Sequence, residues 1–457
     1  MKLTRRQVLV GAAAGAVGAT GIYELVDQFT GDSPKRLSGA TTFPEQHLLD
    51  GVRVVDSEGI EVLVPPLHHE ILTARVSAGR PDLRTAQSEL EHLLARLDAD
   101  YAPSPAGLGV TLAWGLPYFH RLTPDALQRY LPHDRRAGKR VLFDAERFQS
   151  DPFDTRLESN DVAILLRSDT RGHIDDAKKR IRESKLFELT SIRRGFAGGG
   201  FDGARSLPKQ MAVAAQIPGA DLIPETSELF LGFTSTQRAG LGPGTIANFE
   251  TLGYVDFRGH DYFRQGTHMH LSHIHEDIEA WYLNFDFDER VATAFKPGLT
   301  VKQDAQTVKQ GPKDVSSEAD VHRDFKRSGQ MGHSASIQTT SRLPGDVVGT
   351  DGTVFPKGTA IPQRADFNTL DNPFAWSEKP DEIGVLPAAG VHFVVFNPTG
   401  DDFRRNRRAM DGQLPEKKIE LEARSRPQGF NEVLSTTHRQ NFIVPPRRHR
   451  SFPLAEL

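Results

Sequence analysis

The chain of 457 residues contains no cysteine. This absence excludes disulfides, thiolate ligation of a metal and a cysteine nucleophile. A strong charge of one sign is also missing, because the formal net charge is −4 at pH 7. The chain therefore lacks the basic surplus typical of nucleic-acid binding. No phosphate loop, dinucleotide fingerprint or nucleophile elbow occurs in a supporting context. With charged residues at 25% and hydrophobic residues at 38%, the composition is that of a soluble globular protein of one large or two smaller domains.

The N-terminus carries a pair of arginines, Arg5 and Arg6, before an Ala/Gly-rich apolar segment from Val8 to about Tyr23. This segment is shorter than the roughly 20 residues that a membrane-spanning helix needs. A twin arginine before a short apolar segment is typical of a twin-arginine export signal. We therefore predict a signal segment over residues 1–30, with the export machinery as a partner and an extracytoplasmic location. The protein is then secreted, periplasmic or tethered through an uncleaved segment; a chance basic start is the alternative.

Hydrophobic periodicity predicts strands and helices after a linker or arm over residues 31–60. In the first part the order is strand, helix, strand, strand, helix, which is typical of a split β-α-β unit of the ferredoxin-like type. The predicted elements there are strands at 69–76, 108–115 and 161–169 and helices at 84–97 and 174–181. The later part repeats this theme less regularly, with strands at 228–233 and 391–396 and helices at 276–285 and 401–410.

The densest cluster of potential metal ligands consists of four histidines, His268, His270, His273 and His275. In a strand the first two share a face, as do the last two. Paired imidazoles two residues apart can bind Zn, Cu or Ni, and Glu276 and Asp277 add oxygen ligands. One hypothesis is therefore a metal site in this segment. The alternative is a strand that packs near a cofactor or at the surface.

Two arginine-rich segments are predicted to be solvent-exposed. The arginines of the helix at 401–410 indicate a solvated helix face, and residues 447–450 have the composition of an exposed basic tail. Trp114 and Trp281 are predicted to lie in the core.

The stretch from Gly199 to Gly203, called the glycine loop below, has the pattern G-x-x-D-G with Asp202 as its carboxylate. Its glycines free the backbone to take positive φ and to pass close to a flat or bulky group. A carboxylate in such a loop is either a turn-former or a chemical group, and a bare Asp-Gly pair is usually a turn.

With its context, the glycine loop resembles the distal motif of the dye-decolourising peroxidase superfamily of haem proteins. In that family the aspartate of the motif lies above the haem iron. The resemblance covers most of residues 60–412 and implies an α+β fold with antiparallel sheets. It implies two ferredoxin-like halves of the dimeric α+β barrel type. The N-terminal half spans 61–225 and carries the glycine loop, and the haem-binding half spans 226–457.

The resemblance also implies roles for individual residues. His333 lies downstream of the glycine loop and before the arginine segment, where the family has its iron ligand. Arg364 matches the distal arginine and would stabilise negative charge on the leaving peroxide oxygen. Asp202 would accept the first proton and return it to that oxygen. The remaining predicted pocket residues are Gly199, Gly203, Asp366 and Asn368.

The implied function is an exported haem b peroxidase that reduces hydrogen peroxide and oxidises an organic donor. A second hypothesis is a haem-binding or carrier protein on the same fold without fast turnover. It stays open because Ser206, Leu207 and Pro208 stand where the family has Asn-Pro after the motif, and because Ala365 stands where a second arginine often follows the first. Near the predicted ligand, Ser336 stands where many relatives have a histidine before isoleucine. A third is a non-haem metal protein that uses the four clustered histidines. A homo-oligomer is also left open.

Overall fold

The computed structural model describes residues 22–30, 49, 52–56, 61–79, 82–134, 137–199, 206–233, 261–301, 315–343, 345–348, 354–358, 360–373 and 386–457. Its strands are β1 Arg53–Asp56, β2 Glu61–Val64, β3 His68–Val76, β4 Gly109–Gly115, β5 His133–Asp134, β6 Lys139–Arg140, β7 Arg156–Leu157, β8 Val162–Ser168, β9 Phe187–Phe196, β10 Thr267–Glu276, β11 Val347–Val348, β12 Val354–Phe355, β13 Gln363–Arg364, β14 Phe367–Thr369, β15 Gly390–Asn397 and β16 Leu434–Val444. Its α-helices are α1 Leu25–Thr30, α2 Leu83–Asp100, α3 Leu116–Phe119, α4 Pro124–Tyr130, α5 Arg171–Glu183, α6 Pro208–Ala214, α7 Ile278–Asn284, α8 Phe287–Ala294, α9 Glu318–Ser328, α10 His333–Gln338 and α11 Gly400–Met410.

The N-terminal half contains a four-stranded antiparallel sheet in the order β9-β3-β8-β4. Of these four strands, β3 comes first in the sequence and pairs with β8 and β9, the third and fourth. The second, β4, lies at an edge of the sheet, as in ferredoxin-like folds. Helix α2 forms because Leu90, Leu93, Leu94 and Leu97 recur at helical spacing, and all four are buried. Together with helix α5 they cover one face of this sheet in a continuous apolar cluster.

The C-terminal half repeats the arrangement in the order β16-β10-β15-β14. Here β10 is the first strand and pairs with the third and fourth. Strand β13 extends the pairing along β15 through Arg364 and Val395. The two halves thus share one topology although they share no periodic sequence repeat.

The two sheets join at both edges and close a barrel. Strand β14 pairs with β9 at Asn368 and Phe196, and β16 pairs with β4 at Phe442 and Gly115. An apolar cluster from both halves, including Met269, fills part of the interior. The prediction of two ferredoxin-like halves in an α+β barrel is confirmed.

The predicted strand at 228–233 is wrong, because this segment is a series of turns. Gly232 has a φ of 80°, and its N–H donates to the Leu229 carbonyl at 3.0 Å. The chain therefore folds back, and its apolar side chains pack beside helix α7. There the indole of Trp281 donates to the Leu231 carbonyl at 2.8 Å.

Residues 22–30, the end of the predicted signal segment, pack into the core of the C-terminal half. Ile22, Tyr23 and Val26 are buried there, and the Tyr23 hydroxyl donates to Asp371 at 2.9 Å. Arg5 and Arg6 lie outside the described residues. Within the described part of the chain, no helix has the length and apolarity needed to cross a membrane.

Candidate functional site

A cavity of about 290 Å³ lies between the outer face of the C-terminal barrel wall and the helices that cover it. Strand alternation creates the wall, because every second side chain of a strand points to the same face. Ser272, Ile274 and Glu276 of β10 and Val391, Phe393 and Val395 of β15 line the cavity. Helices α8, α10 and α11 close the opposite side through Phe295, His333 and Arg407, among others. A volume close to 300 Å³ is typical of the smaller ligand pockets.

His333 is the first residue of α10 and lines the cavity. The preceding residue, Gly332, has no side chain, and any side chain there would collide with the Phe295 carbonyl. Glycine at this position therefore lets the helix start against Phe295. The imidazole lies 4.8 Å from the Phe430 ring, between centroids, and no described residue hydrogen-bonds it. Burial, assisted by the charges of Arg364 and Arg407, lowers the pKa of His333 to about 3. The ring is therefore neutral near pH 7, the state in which histidine binds a metal.

Arg364, Asp366 and Asn368 also line this cavity. They follow one another at every second position along β13 and β14, beside β15, so they share the outer face. Arg364 Nε lies 3.9 Å from Asp366 Oδ1. The structure thus brings His333, Arg364, Asp366 and Asn368 into one cavity.

The glycine loop leaves the barrel next to that cavity. Gly199 follows β9 and has a φ of 72°, while Asp202 and Gly203 lie outside the described residues. The preceding Gly198 packs against the side-chain amide of Asn368, and a side chain at this position would collide with the Glu228 carbonyl. The two ends of the loop are held together because Leu207 N–H donates to the Gly198 carbonyl at 2.8 Å.

A carboxylic acid, Glu276, lies in the same cavity wall as Asn368. Its side chain is buried, with 8% exposure, and its Oε2 has no hydrogen-bond partner among the described residues. Burial, together with the negative charge of Asp366, raises the pKa of Glu276 to about 8. In the sequence analysis this residue is only an accessory metal ligand. Counting in steps of two along β10 from His268 places it on the outer face, but no local signal reveals the cavity.

A buried ion-pair cluster forms another part of the wall. Asp151 Oδ1 lies 2.7 Å from Arg439 Nη2 and 3.3 Å from Arg407 Nη2. Both guanidinium groups also lie over the Phe148 ring, at 4.8 and 5.2 Å. Burial lowers the pKa of Arg439 to about 10, and the charge of Asp151 opposes that shift. The prediction of a solvated arginine face on α11 is wrong for Arg407, because the residue is buried and pairs with Asp411 at 2.8 Å and with Asp151 from a distant segment.

The histidines of β10 are divided between the two faces of the strand. His270 stacks on Phe403 of α11 at 3.5 Å. Its Nδ1 donates to Asn441 at 2.7 Å, and its Nε2 accepts from Ser272 at 2.6 Å. His273 instead faces the barrel interior, 4.3 Å from His392 between ring centroids.

The remaining two histidines do not complete a ligand set. His268 lies beneath the start of α11, next to Gly400, and His275 is only partly buried. The four side chains therefore do not converge on one point. Among the described residues, no group of three or more His, Asp or Glu side chains has an arrangement that would hold a metal ion.

Comparison with known proteins places the chain in a family. The chain belongs to DUF7405, a family of unknown function, whose model matches residues 66–446. No curated protein matches the sequence.

Among solved structures, the chain is similar to a DyP-type peroxidase from Cellulomonas bogoriensis. The identity is 16%, the TM-score is 0.53, and the match covers 91% of this chain and 96% of that chain. The encapsulated DyP-type peroxidase from Mycobacterium smegmatis has 12% identity and a TM-score of 0.49, over 85% of this chain and 95% of that one. A DypB variant from Rhodococcus jostii RHA1 in complex with heme also has 12% identity and a TM-score of 0.49, over 84% and 94%. The first comparison shows that this DUF7405 member has the DyP-type fold, as the sequence resemblance predicts.

Proposed function

We propose that this DUF7405 protein is an exported haem peroxidase of the DyP type, which reduces hydrogen peroxide and oxidises an organic donor. The fold alone does not imply the reaction. The observation that carries the proposal is a neutral imidazole, His333, in the same cavity as the Arg364 guanidinium. A haem peroxidase needs an axial ligand and, at the peroxide, a positive charge and an acid–base group.

The residues of the cavity suit haem b. The His333 ring nitrogens are not engaged by any described residue, so one of them can bind iron. Apolar side chains such as Ile274, Val391 and Phe393 suit the flat ring. The haem carboxylates need cations; Arg342 lines the cavity, and its Nε has no hydrogen-bond partner among the described residues. When bound, haem supplies the redox centre that passes electrons from donor to peroxide.

The protein side chains then handle charge and protons. The guanidinium of Arg364 stabilises negative charge on the leaving peroxide oxygen. Asp202 accepts the first peroxide proton and returns it to that oxygen. Its loop begins beside Asn368, which supports a position for Asp202 next to the cavity.

The test of cofactor binding is an absorption spectrum of the purified protein with and without added haem. We expect a Soret band that is lost or strongly weakened in His333→Ala and retained in His322→Ala. The control residue lies on the neighbouring helix α9, where its Nε2 donates to the Lys417 carbonyl at 3.0 Å. A Soret band unchanged in His333→Ala would move the iron ligand elsewhere, and no Soret band in the wild type would overturn the haem proposal.

The test of the reaction is the rate of peroxide reduction by the haem-loaded protein. Removal of one preorganised charge-stabilising group costs about 10²–10³-fold in rate, and we expect a loss of that order in Arg364→Gln. Asp202→Asn should slow the same step, whereas Arg408→Gln, a change at a partly exposed position of α11 that pairs with Glu146, should not. Haem binding without turnover in the wild type would instead favour the haem-binding or carrier protein.

Export is part of the proposal and rests on Arg5 and Arg6. We expect the double change Arg5→Lys, Arg6→Lys to keep the protein in the cytoplasm, since the export machinery reads the twin arginine. Cell fractionation with an activity-independent tag measures the outcome. Equal export of the double variant would remove this pathway from the proposal.

A further inference from the structure

Glu276 shares the cavity with a second acid, Asp366, and has no ion-pair partner of its own among the described residues. Glu276 and Asp366 both line the cavity, and the charge of Asp366 acts on Glu276 strongly enough to hinder its ionisation. Asp366 has its own ion-pair partner, because its Oδ1 lies 3.9 Å from Arg364 Nε. Among the described residues, none forms an ion pair with Glu276. A buried carboxyl group without a cationic partner is costly to ionise.

The position of Glu276 indicates that this group is directed at a ligand. It is the last residue of β10 and follows Ser272 and Ile274 on the cavity face. Its backbone is already used, because its N–H donates to the Ala389 carbonyl at 3.0 Å. The side-chain oxygen Oε2 has no hydrogen-bond partner among the described residues, and only 8% of the residue is exposed. A buried polar atom without a partner calls for an explanation, and a ligand group is a direct one.

The surrounding wall is apolar. Leu229, Leu231 and Phe233, from the turns at 228–233, line the same cavity as Ile274. The Tyr282 hydroxyl is not available to Glu276 as a donor, since it donates to the Phe230 carbonyl at 2.8 Å. An apolar wall that ends in an uncompensated carboxyl group matches a ligand with an apolar body and a cationic head.

We propose that Glu276 binds the ammonium group of an organic amine, whose apolar body lies against Leu229, Leu231 and Phe233. The contact is a charge-assisted hydrogen bond, the strong class among hydrogen bonds. No covalent step is involved. That such an amine is also the electron donor rests on the proposed peroxidase function.

The experiment compares phenethylammonium with phenethyl alcohol, which share the apolar body and differ in the charged head. Calorimetry measures both ligands on the purified full-length protein, as isolated and after haem addition, with the Soret band recorded on each sample. Hydrogen bonds to charged groups are worth about tenfold or more in affinity, so the wild type should prefer the ammonium by about that factor. E276Q should lose this preference while its affinity for the alcohol stays unchanged. E188Q, the same change at an exposed position of β9, is the matched control.

Each outcome decides one question. Equal affinity of wild type and E276Q for the ammonium, or an equal loss for both ligands in E276Q, would overturn the proposal, because the second result indicates only a structural role. The comparison of the two ligands on the wild type needs no variant and stands even if E276Q folds poorly. Ammonium preference without a Soret band would support the amine site and refute the peroxidase. A Soret band with peroxide turnover and no ammonium preference would support the peroxidase and refute the amine site.

Discussion

The two halves of the barrel share a strand order but differ in the helices that cover them. In the N-terminal half the covering helices α2 and α5 have 18 and 13 residues, and their apolar side chains fill the space above the sheet. In the C-terminal half α10 has 6 residues and α11 has 11, with an arginine-rich sequence. The buried faces of α2 and α5 are apolar and give a filled layer. The buried faces of α10 and α11 are largely polar, and a cavity lies beside them.

The buried groups follow the same division. The N-terminal layer is built from leucines such as Leu90 and Leu94, which contribute stability through burial. The cavity wall buries Arg407, Arg439 and Glu276, which are stable only where partners or ligands compensate them. Such local conflicts with stability are expected at functional sites. In the proposed function, one half serves mainly as the scaffold and the other holds the site.

The largest effect is expected from Asp151→Asn, a change at a residue of the N-terminal half that lines the cavity against the C-terminal half. Asp151 is the counter-charge of Arg439 and also contacts Arg407, which has Asp411 as a second partner at 2.8 Å. The Asp151 side chain is 1% exposed. Removing one member of a buried ion pair costs about 3–5 kcal/mol, because the remaining charges stay buried.

Chemical denaturation should show this loss in the free energy of unfolding. The control is Glu183→Gln on α5, which removes an exposed ion pair with Lys179. A loss of unfolding free energy in Asp151→Asn no larger than in this control would contradict the role of this cluster.

A smaller loss, of about 3 kcal/mol, is expected from Leu94→Ala in the N-terminal half, since it leaves a cavity in a packed layer. Leu94 is buried on α2. Because it lies on the scaffold half, the change should leave the haem affinity of the folded protein unaltered. Denaturation together with haem titration measures both quantities. Loss of haem affinity in Leu94→Ala at temperatures where the variant is folded would break the division between scaffold and chemistry.

The smallest effect concerns the pH dependence of stability. The folded protein keeps the Glu276 proton up to a pKa of about 8, whereas the unfolded chain loses it near the ordinary value of 4.5. The folded state therefore binds more protons between these values, and stability falls as pH rises through this window. From about pH 5 to about pH 9 we expect the stability of E276Q relative to wild type to rise by about 2 kcal/mol, a part of the penalty that the full pKa shift implies.

Thermal unfolding of both proteins across this pH range measures the effect. The control is E188Q, at an exposed position, whose difference from wild type should not vary with pH. A pH-independent difference between E276Q and wild type would show that Glu276 is not a buried titrating group.

Sequence periodicity predicts strands where one side of the barrel wall is apolar, and it fails where the interior is polar. Strand β9 escapes prediction because Arg193 points into the protein and pairs with Glu158. Strand β16 escapes for a similar reason, since Gln440 accepts from the Asn160 backbone at 2.9 Å. These polar side chains are buried because distant segments satisfy them, and no local pattern encodes that compensation.

The predicted exposure of the basic tail is wrong for Arg450 for the same reason, although Arg448 is exposed. Arg450 is 4% exposed, and its Nη2 lies 2.8 Å from Asp98 on α2. The Arg450 carbonyl also accepts from the Trp114 indole at 2.9 Å. A basic run at a chain end indicates solvent exposure only when no acidic helix from another part of the fold meets it.

The local sequence by itself determined the first five elements of the N-terminal half, the opposite faces of His270 and His273 on β10, and the burial of Trp114 and Trp281. These features follow from side-chain periodicity and apolar area, which act over a few residues. Only the tertiary structure decided that His333 and Arg364 share a cavity and that Glu276 is buried beside Asp366. That outcome depends on barrel closure between distant strands, because burial and neighbouring charges, not residue identity alone, set the protonation state and the chemistry of each group.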